Sequence, residues 1–233
     1  MTWYMGFWDG PMFKWQDRSG YYADEETPLP FSLWFPGPKV TDTSNIPTVA
    51  VQTLPYTEEL PDVFPINSAG VVSARFKAIV ETVEPDMHQF FPVELRRENG
   101  TAHVGEYFIF HPTRYAPCVL LSKSGIRSKV TVQYGRRTGL PNYHVHDGEY
   151  VISRPAYGDR KIFGSFFVEH DALLVADEVV ERIKAEQLTN FRLYPVRELD
   201  KPWVFENEAP ELAAFLKERP DIAAEYQQDL QAF

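Results

Sequence analysis

Apolar residues recur at helical spacing between residues 71 and 83, and this stripe predicts the first helix of the chain. The residues of the stripe are Val72, Phe76, Ile79, Val80 and Val83. We expect the helix to cover residues 73–82, because Ser73 is a suitable N-cap and Pro85 cannot continue a helix. The β-prone segment HQFFPVEL that follows predicts a strand over residues 88–95.

A looser copy of this helix and strand returns 103 positions later. The second copy predicts a helix over residues 176–186 and a strand over residues 190–196. The positions that align are Val72 with Val175, Phe76 with Val179, Val80 with Ile183, Phe91 with Tyr194, Pro92 with Pro195 and Val93 with Val196. Two such units indicate a scaffold built by repetition, and they carry no reactive group at matching positions.

Further β-prone runs predict strands over residues 105–111, 118–121, 129–134 and 161–168. Glycine and proline punctuate the sequence GRRTGLPNYHVHDG, so we expect a loop over residues 135–148.

The first 65 residues differ from this core in composition. Residues 1–35 are rich in aromatic side chains, which form either a binding face for a partner or part of the core. Residues 28–65 are rich in proline, which removes backbone donors. We therefore expect residues 28–65 to be an extended crossing or linker with at most short edge strands.

The C-terminal residues predict two amphipathic helices with acidic outer faces, over residues 210–217 and 221–233. This tail either docks on the sheet or stays free for a partner. The sequence as a whole predicts an α+β fold with a mixed or antiparallel sheet, two repeated helix-strand units and a C-terminal helical tail. Its three segments, residues 1–65, 66–200 and 201–233, are expected to form one compact domain.

Charge is distributed unevenly over a chain whose formal net charge is −10. Residues 198–233 contain nine acidic and three basic residues, whereas residues 107–146 contain six basic residues and no acidic one. An acidic protein does not seek phosphate backbones, but it suits a basic protein partner. The alternative is that the acidic residues only keep the protein soluble.

The single cysteine, Cys118, excludes an internal disulfide framework and fits a reducing compartment. No apolar run approaches the roughly 20 residues that span a bilayer. The first ten residues lack the basic and apolar regions of a secretory signal. We therefore expect a cytoplasmic protein with no membrane partner.

Candidate chemistry is sparse, because the chain contains no glycine-rich phosphate loop, HExxH, paired CxxC or GxSxG motif. His144, His146 and Asp147 are close enough in sequence to share a metal, which would suit a metal-assisted hydrolase. A catalytic site needs a third ligand and an open position, and a polar loop explains the same residues. Cys118 lies in the apolar sequence APCVLL, which is typical of an inert buried thiol rather than of a nucleophile paired with His103 or His111. The sequence thus predicts no catalytic, metal-binding or cofactor-binding residue.

The basic stretch over residues 114–137 is the candidate surface for nucleic acid. Arg127, Lys129, Arg136 and Arg137 would contact phosphates, and the interleaved tyrosines suit stacking on bases. The acidity of the whole chain opposes this attraction, so a solvated strand face is the competing interpretation and the one we expect.

The segment HQFFPVEL and the later FVEHDALLVADEVVERIKAEQLTNFRLYPV resemble a bacterial immunity protein family, the one numbered eleven in polymorphic toxin systems. The resemblance covers about residues 65–199. It implies an antitoxin that is not an enzyme and that binds a secreted toxin domain inside the producing cell, blocking the active site or the path of the substrate. The toxin would arrive through type VI or a related secretion route.

For such an antitoxin, the acidic tail and the aromatic segment are the predicted contact surfaces. The acidic candidates are Glu206, Glu208, Glu211 and Glu218, and the aromatic ones are Trp3, Trp8 and Trp15. If the toxin is a nuclease, its basic substrate site would attract an acidic face that mimics phosphate. Exposed aromatic residues would equally suit a homodimer.

Overall fold

A computed structural model describes residues 1–7, 10–16, 37, 39–44, 46–54, 59–66, 69–134, 137–146, 148–165, 168 and 173–218. Within these ranges the side chains of residues 7, 54, 127–134, 137–144, 211, 212, 215 and 216 are not described. The fold is mixed α+β, as predicted.

The elements follow one another along the chain as β1 (Thr2–Phe7), β2 (Met12–Gln16), β3 (Val49–Leu54), β4 (Val63–Ile66), β5 (Ala69–Ser73), α1 (Ala74–Val83), β6 (Gln89–Arg96), β7 (Tyr107–His111), β8 (Tyr115–Ala116), β9 (Ile126–Tyr134), β10 (Arg137–Val145), β11 (Val151–Ser153), α2 (Arg154–Tyr157), β12 (Ile162–Ser165), β13 (Leu173–Ala176), α3 (Asp177–Ala185), β14 (Phe191–Pro195), β15 (Arg197–Leu199), α4 (Phe205–Glu208) and α5 (Pro210–Glu218).

Contacts divide the chain into two compact units whose segments alternate along the sequence. Unit 1 comprises Met1–Met5, Arg114–Asp177 and the chain from Leu193 onward. Unit 2 comprises Gly6–Thr113 and Glu178–Arg192. The segments that composition suggested, residues 1–65, 66–200 and 201–233, follow other boundaries and stay a prediction.

Unit 2 contains a six-stranded mixed sheet with the order β2-β3-β6-β7-β5-β4. Strands β3 and β6 are parallel, and the other neighbours are antiparallel. One face carries the core cluster of Phe13, Trp15, Ile46, Ala50, Phe64, Ile66, Ala69, Val71, Val93, Leu95, Tyr107 and Ile109. Because side chains alternate along a strand, Phe108 and Phe110 point to the opposite face. Helix α1 packs there, with the ring of Phe76 centred 5.7 Å from that of Phe110.

The second large sheet has the order β14-β1-β13-β12-β8. Strand β1 pairs with β13 in antiparallel register, so that Thr2 lies opposite Ala176. The core of unit 1 is a cluster of Ala116, Cys118, Val119, Leu121, Val145, Tyr150, Ile152, Phe163, Val168, Leu174 and Val196. Strands β11 and β15 form a short parallel pair, and β9 and β10 form a two-stranded ribbon.

The predicted helices and strands of the two similar segments are present. Helix α1 has Ser73 as its N-cap, and the Ser73 hydroxyl accepts a hydrogen bond from the backbone N–H of Phe76 at 3.3 Å. Strand β6 follows α1, and β14 follows α3, at the expected positions. That these segments form a repeat stays a prediction. Helix α5 lies where a helix over residues 210–217 was predicted, whereas the predicted helix over residues 221–233 lies outside the described residues.

The prediction of a loop over residues 135–148 is wrong, because β10 runs from Arg137 to Val145 and pairs with β9. Glycine and proline misled the interpretation. Pro141 lies opposite Thr131 in a ribbon of two strands, where each strand is an edge and a missing N–H need not break a ladder.

Two other predictions also need correction. Strand β3 lies between β2 and β6 in the interior of a sheet, although residues 28–65 were expected to supply only edge strands. The residues of β3 contain no proline, since Pro47 and Pro55 lie on either side of the strand. Residues 118–121 form no strand but only one bridge, between Val119 and Ile152.

A buried carboxylate links three parts of unit 2. The side chain of Asp62 accepts hydrogen bonds from the hydroxyl of Ser73 at 2.7 Å and from the backbone N–H and hydroxyl of Thr189 at 2.9 and 3.1 Å. Arg75 on α1 contributes a guanidinium 3.5 Å away. Asp62 thereby joins the start of β4, the first turn of α1 and the turn after α3.

A second buried polar group lies beside the core cluster of unit 2. His103 is 7% exposed, and its Nε2 is hydrogen-bonded to Oε1 of Gln52 at 3.0 Å. Its Nδ1 has no hydrogen-bond partner in the described part of the chain. Burial, assisted by the charge of Arg97, lowers the pKa of His103.

We predict that Asp62→Asn destabilises the protein by roughly 2 kcal/mol, because the amide would present donors to groups that already donate. The measurement is equilibrium unfolding in urea. Glu81→Gln is the matched control, since Glu81 belongs to an exposed ion pair with Lys77 and should cost less than roughly 0.5 kcal/mol. Equal stability of the two variants would show that the Asp62 network does not hold unit 2 together.

We also predict that stability falls as the pH drops below about 6.5, the pKa of an unperturbed histidine. In that range the unfolded state takes up a proton at His103, whereas the folded state, with its lowered pKa, does not. The midpoint of urea unfolding should therefore be lower at about pH 5.5 than at about pH 7.5. His103→Gln should reduce this difference between the two midpoints. If the difference is as large in that variant as in the wild type, titratable groups other than His103 cause it.

Candidate partner-binding surfaces

A groove of about 440 Å³ opens on the surface of unit 2, where β3, β6 and β7 lie side by side. Its lining residues are Thr48, Pro92, Val93, Glu94, Gly105, Glu106, Tyr107 and Phe108. The pairing of Pro92 with Phe108 and of Val49 with Glu94 brings these residues together. Pro92 and Glu94 are exposed while Val93 is buried, as the alternation of a strand with one core face requires.

Two carboxylates lie in this groove, and their surroundings differ. Glu94 forms a bidentate ion pair with Arg96, at 2.8 and 2.9 Å, and this pair lowers the pKa of Glu94. Glu106 is exposed, and its side chain has no hydrogen bond or ion pair with another described residue. Glu106 therefore contributes a negative charge that no described cation pairs with.

The groove also borders apolar surface. The ring of Phe108 is half-buried, and the ammonium of Lys77 lies 5.2 Å from its centre. Val104, which directly precedes the lining residue Gly105, is 93% exposed. Gly105 has φ +109°, a conformation that disfavours any other residue, and a Cβ there would lie 3.3 Å from the Tyr107 ring. The shape of the turn beside the groove thus depends on this glycine.

The three tryptophans predicted to bind a partner have different environments. Trp3 is partly buried and donates a hydrogen bond to the carboxylate of Asp177 at 2.6 Å. Trp8 lies outside the described residues. Trp15 is 2% exposed and belongs to the core cluster of unit 2, so its contacts are those of a core residue. A role of these tryptophans in partner binding stays a prediction.

The four acidic tail residues also differ. Glu206 and Glu218 are exposed, whereas the side chain of Glu211 is not among those described. Glu208 is 6% exposed, and its carboxylate accepts hydrogen bonds from the backbone N–H and hydroxyl of Ser122 at 2.9 and 3.1 Å. Glu208 therefore ties α4 to the turn that precedes β9.

The described residues do not assemble a metal site. No group of three or more His, Cys, Asp or Glu side chains in the described part of the chain is arranged to hold a metal ion. His146 is exposed just after β10, while Asp147 and the side chain of His144 lie outside the description. The described residues thus supply no third metal ligand for the hydrolase interpretation.

Cys118 is fully buried, and burial raises the pKa of its thiol to about 12. The sulfur lies 3.8 Å from the hydroxyl of Ser165. A thiol with this pKa carries almost no thiolate at neutral pH, so Cys118 has the properties of a core residue rather than of a nucleophile.

The basic stretch is only partly described. Arg114 forms an ion pair with Asp159 at 3.2 Å, and Lys123 is exposed. Arg127, Lys129 and Arg137 lie on the β9–β10 ribbon, whose backbone alone is described over these positions, and Arg136 lies outside the description. Nucleic-acid binding by this stretch is untested.

No helix among the described residues is both long enough and apolar enough to cross a membrane.

Sequence reasoning missed the groove, because its lining comes from three chain segments that only strand pairing brings together. One signal was available. In HQFFPVEL, alternation places Pro92 and Glu94 on the face opposite Val93 and Leu95, which marks two outward positions on a strand that is otherwise core.

Comparison with known proteins gives the class of the molecule. The family model described as Immunity protein family (Imm11) matches residues 13–198, which is most of the chain. No curated protein matches the sequence. The match includes the sheet of unit 2 with its groove, and it confirms the resemblance drawn from residues 65–199. The chain therefore belongs to the Imm11 immunity protein family.

Proposed function

We propose that this protein is an antitoxin that binds a cognate bacterial toxin and neutralises it. The observation that carries the proposal is the Imm11 match over residues 13–198. Membership in an immunity family indicates a role in binding rather than in catalysis. The buried, protonated thiol of Cys118 agrees with this, since the chain's single cysteine offers no nucleophile.

The biological setting follows from the same proposal. The antitoxin would act in the cytoplasm of the producing cell and would protect that cell and its siblings from a toxin delivered between cells. Delivery by a type VI or related secretion route belongs to this proposal.

The tail supplies a reason to expect a basic toxin surface. Residues 198–233 have a net charge of −6, and Glu206 and Glu218 present their carboxylates to solvent. A nuclease toxin has a basic substrate site, which an acidic face of the antitoxin would attract and block. Glu208 does not contribute to this face, because its carboxylate accepts hydrogen bonds from the backbone N–H and hydroxyl of Ser122.

We expect growth of a host that expresses the product of the adjacent upstream open reading frame to stop, and co-expression of this protein to restore growth. The two proteins should co-purify in a fixed molar ratio, because neutralisation by binding is stoichiometric. Growth curves with and without the antitoxin provide the measurement. Rescue without a complex, or a harmless neighbour, would contradict direct neutralisation of that neighbour.

We predict that replacing Glu206 and Glu218 together by glutamine weakens toxin binding and flattens its dependence on salt, because two exposed charges are removed. Glu208→Gln should instead lower stability by roughly 1–2 kcal/mol, since its amide would meet the N–H and hydroxyl of Ser122. Affinity is measured by titration calorimetry at two salt concentrations, and stability by urea unfolding.

Glu206→Gln alone is the matched control for the stability measurement, since Glu206 is exposed on the same helix as Glu208. Unchanged affinity in the Glu206 and Glu218 double variant would move the interface away from the tail.

A further inference from the structure

The groove between β3, β6 and β7 has features that the fold does not require. Helix α1 covers part of this face of the sheet, and the part that lines the groove combines exposed Pro92, half-buried Phe108 and Glu106, which has no ion pair with another described residue. Val104 beside it is 93% exposed. We propose that the groove receives a lysine- or arginine-bearing segment of the cognate toxin. This inference rests on the proposed function and names a second contact surface for it.

The charge in the groove determines which side chain it would attract. Glu94 already accepts both of its hydrogen bonds from Arg96, so its charge is largely compensated within the chain. Glu106 has no such partner among the described residues. An incoming ammonium or guanidinium would therefore pair with Glu106 and form a charge-assisted hydrogen bond.

The apolar lining determines what surrounds that cation. Lysine and arginine carry apolar stems that pack on hydrophobic surface while the charged end reaches a polar group. Pro92 and Phe108 offer such a surface next to Glu106, and exposed Val104 directly precedes the lining residue Gly105. The ammonium of Lys77 lies over the rings of Phe90 and Phe108 at 5.5 and 5.2 Å, so the chain already forms a cation–π contact at this lining.

The groove is also held in shape before any partner arrives. Strand β6 is hydrogen-bonded on one side to β3 and on the other to β7, so the backbone under Pro92 and Glu94 is fixed. The turn at Gly105 is set by a positive φ. A preformed surface loses little conformational freedom on binding, which favours affinity.

The same features argue against nucleic acid as the occupant. Nucleic acid would bring phosphates towards the carboxylate of Glu106, which repels them. A second copy of this chain has a basic stretch of its own, residues 107–146. The experiment must therefore distinguish a homodimer through the groove from a complex with the toxin.

The test uses the full-length protein with three substitutions, Glu106→Lys, Val104→Asp and Glu181→Lys. Glu106 and Val104 are exposed, so neither substitution disturbs the core. Glu181 is an exposed acid on α3, outside the groove, and provides the control for charge reversal within unit 2. The probe is the toxin domain encoded upstream, separated from its complex with the wild-type antitoxin in denaturant and refolded. Affinity is measured by biolayer interferometry, and the mass of each free antitoxin by light scattering.

We expect Glu106→Lys and Val104→Asp each to weaken binding by roughly tenfold or more, and Glu181→Lys to change it by less than about threefold. Wild-type affinity in both groove variants would show that the toxin does not bind in the groove, while leaving the proposed function intact. An equal loss in all three variants would also overturn the groove inference, because overall charge would then be responsible. A dimer of the free protein that only the groove variants dissociate would assign the groove to a second copy of the chain. If the wild-type protein neither binds nor protects, the proposed function fails and the groove inference fails with it.

Discussion

Unit 2 depends on the hydrogen bonds that converge on the carboxylate of Asp62. This group lies between β4, the N-cap of α1 and a turn that is 127 positions away along the chain. Apolar packing alone would allow α1 and the segment after α3 to slide over the sheet, because hydrophobic contact has no direction. The two oxygens of Asp62 accept from donors at fixed positions, and so they set where both segments lie. The aromatic contact between Phe76 and Phe191, 5.3 Å between ring centres, follows from that alignment.

Two other buried carboxylates, those of Glu84 and Glu208, also accept hydrogen bonds within the protein. Glu84 is 4% exposed and accepts a hydrogen bond from Nε2 of His88, while Nδ1 of the same ring accepts from the backbone N–H of Thr113. That second bond requires Nδ1 to be unprotonated, which places the ring proton on Nε2, facing Glu84. Together with Glu208, these residues show that part of the acidity of this chain is internal. The net charge of −10 therefore overstates what a partner meets at the surface.

Local rules recovered α1, α3 and α5 but not the short helices α2 and α4, because residues that begin and end a helix can be recognised in the sequence when the apolar stripe between them is long enough. Ser73 and Pro85 bracket α1, and the apolar stripe between them faces the sheet. Strands were harder to predict, because the position of a segment in a sheet depends on which other segments it pairs with and not on its own composition. Pro141 lies within β10 because a two-stranded ribbon tolerates it, and β3 is an interior strand because its prolines lie just outside it. The groove was beyond local rules altogether, because Glu94 and Glu106 meet only after β6 and β7 have paired.

The alternation of the two units along the chain has a consequence for how the protein is made. Neither unit is a continuous stretch, since the chain passes from one to the other after Met5, Thr113, Asp177 and Arg192. A ribosome synthesises the chain from its N-terminus, so unit 2 lacks Thr189, and with it two of the hydrogen bonds to the Asp62 carboxylate, until residue 189 has been translated. Unit 1 must likewise wait for the residues that follow Leu193. A product that ends before Glu178 would therefore contain neither unit with all of its segments, whereas one that ends just after Arg192 would contain every segment of unit 2.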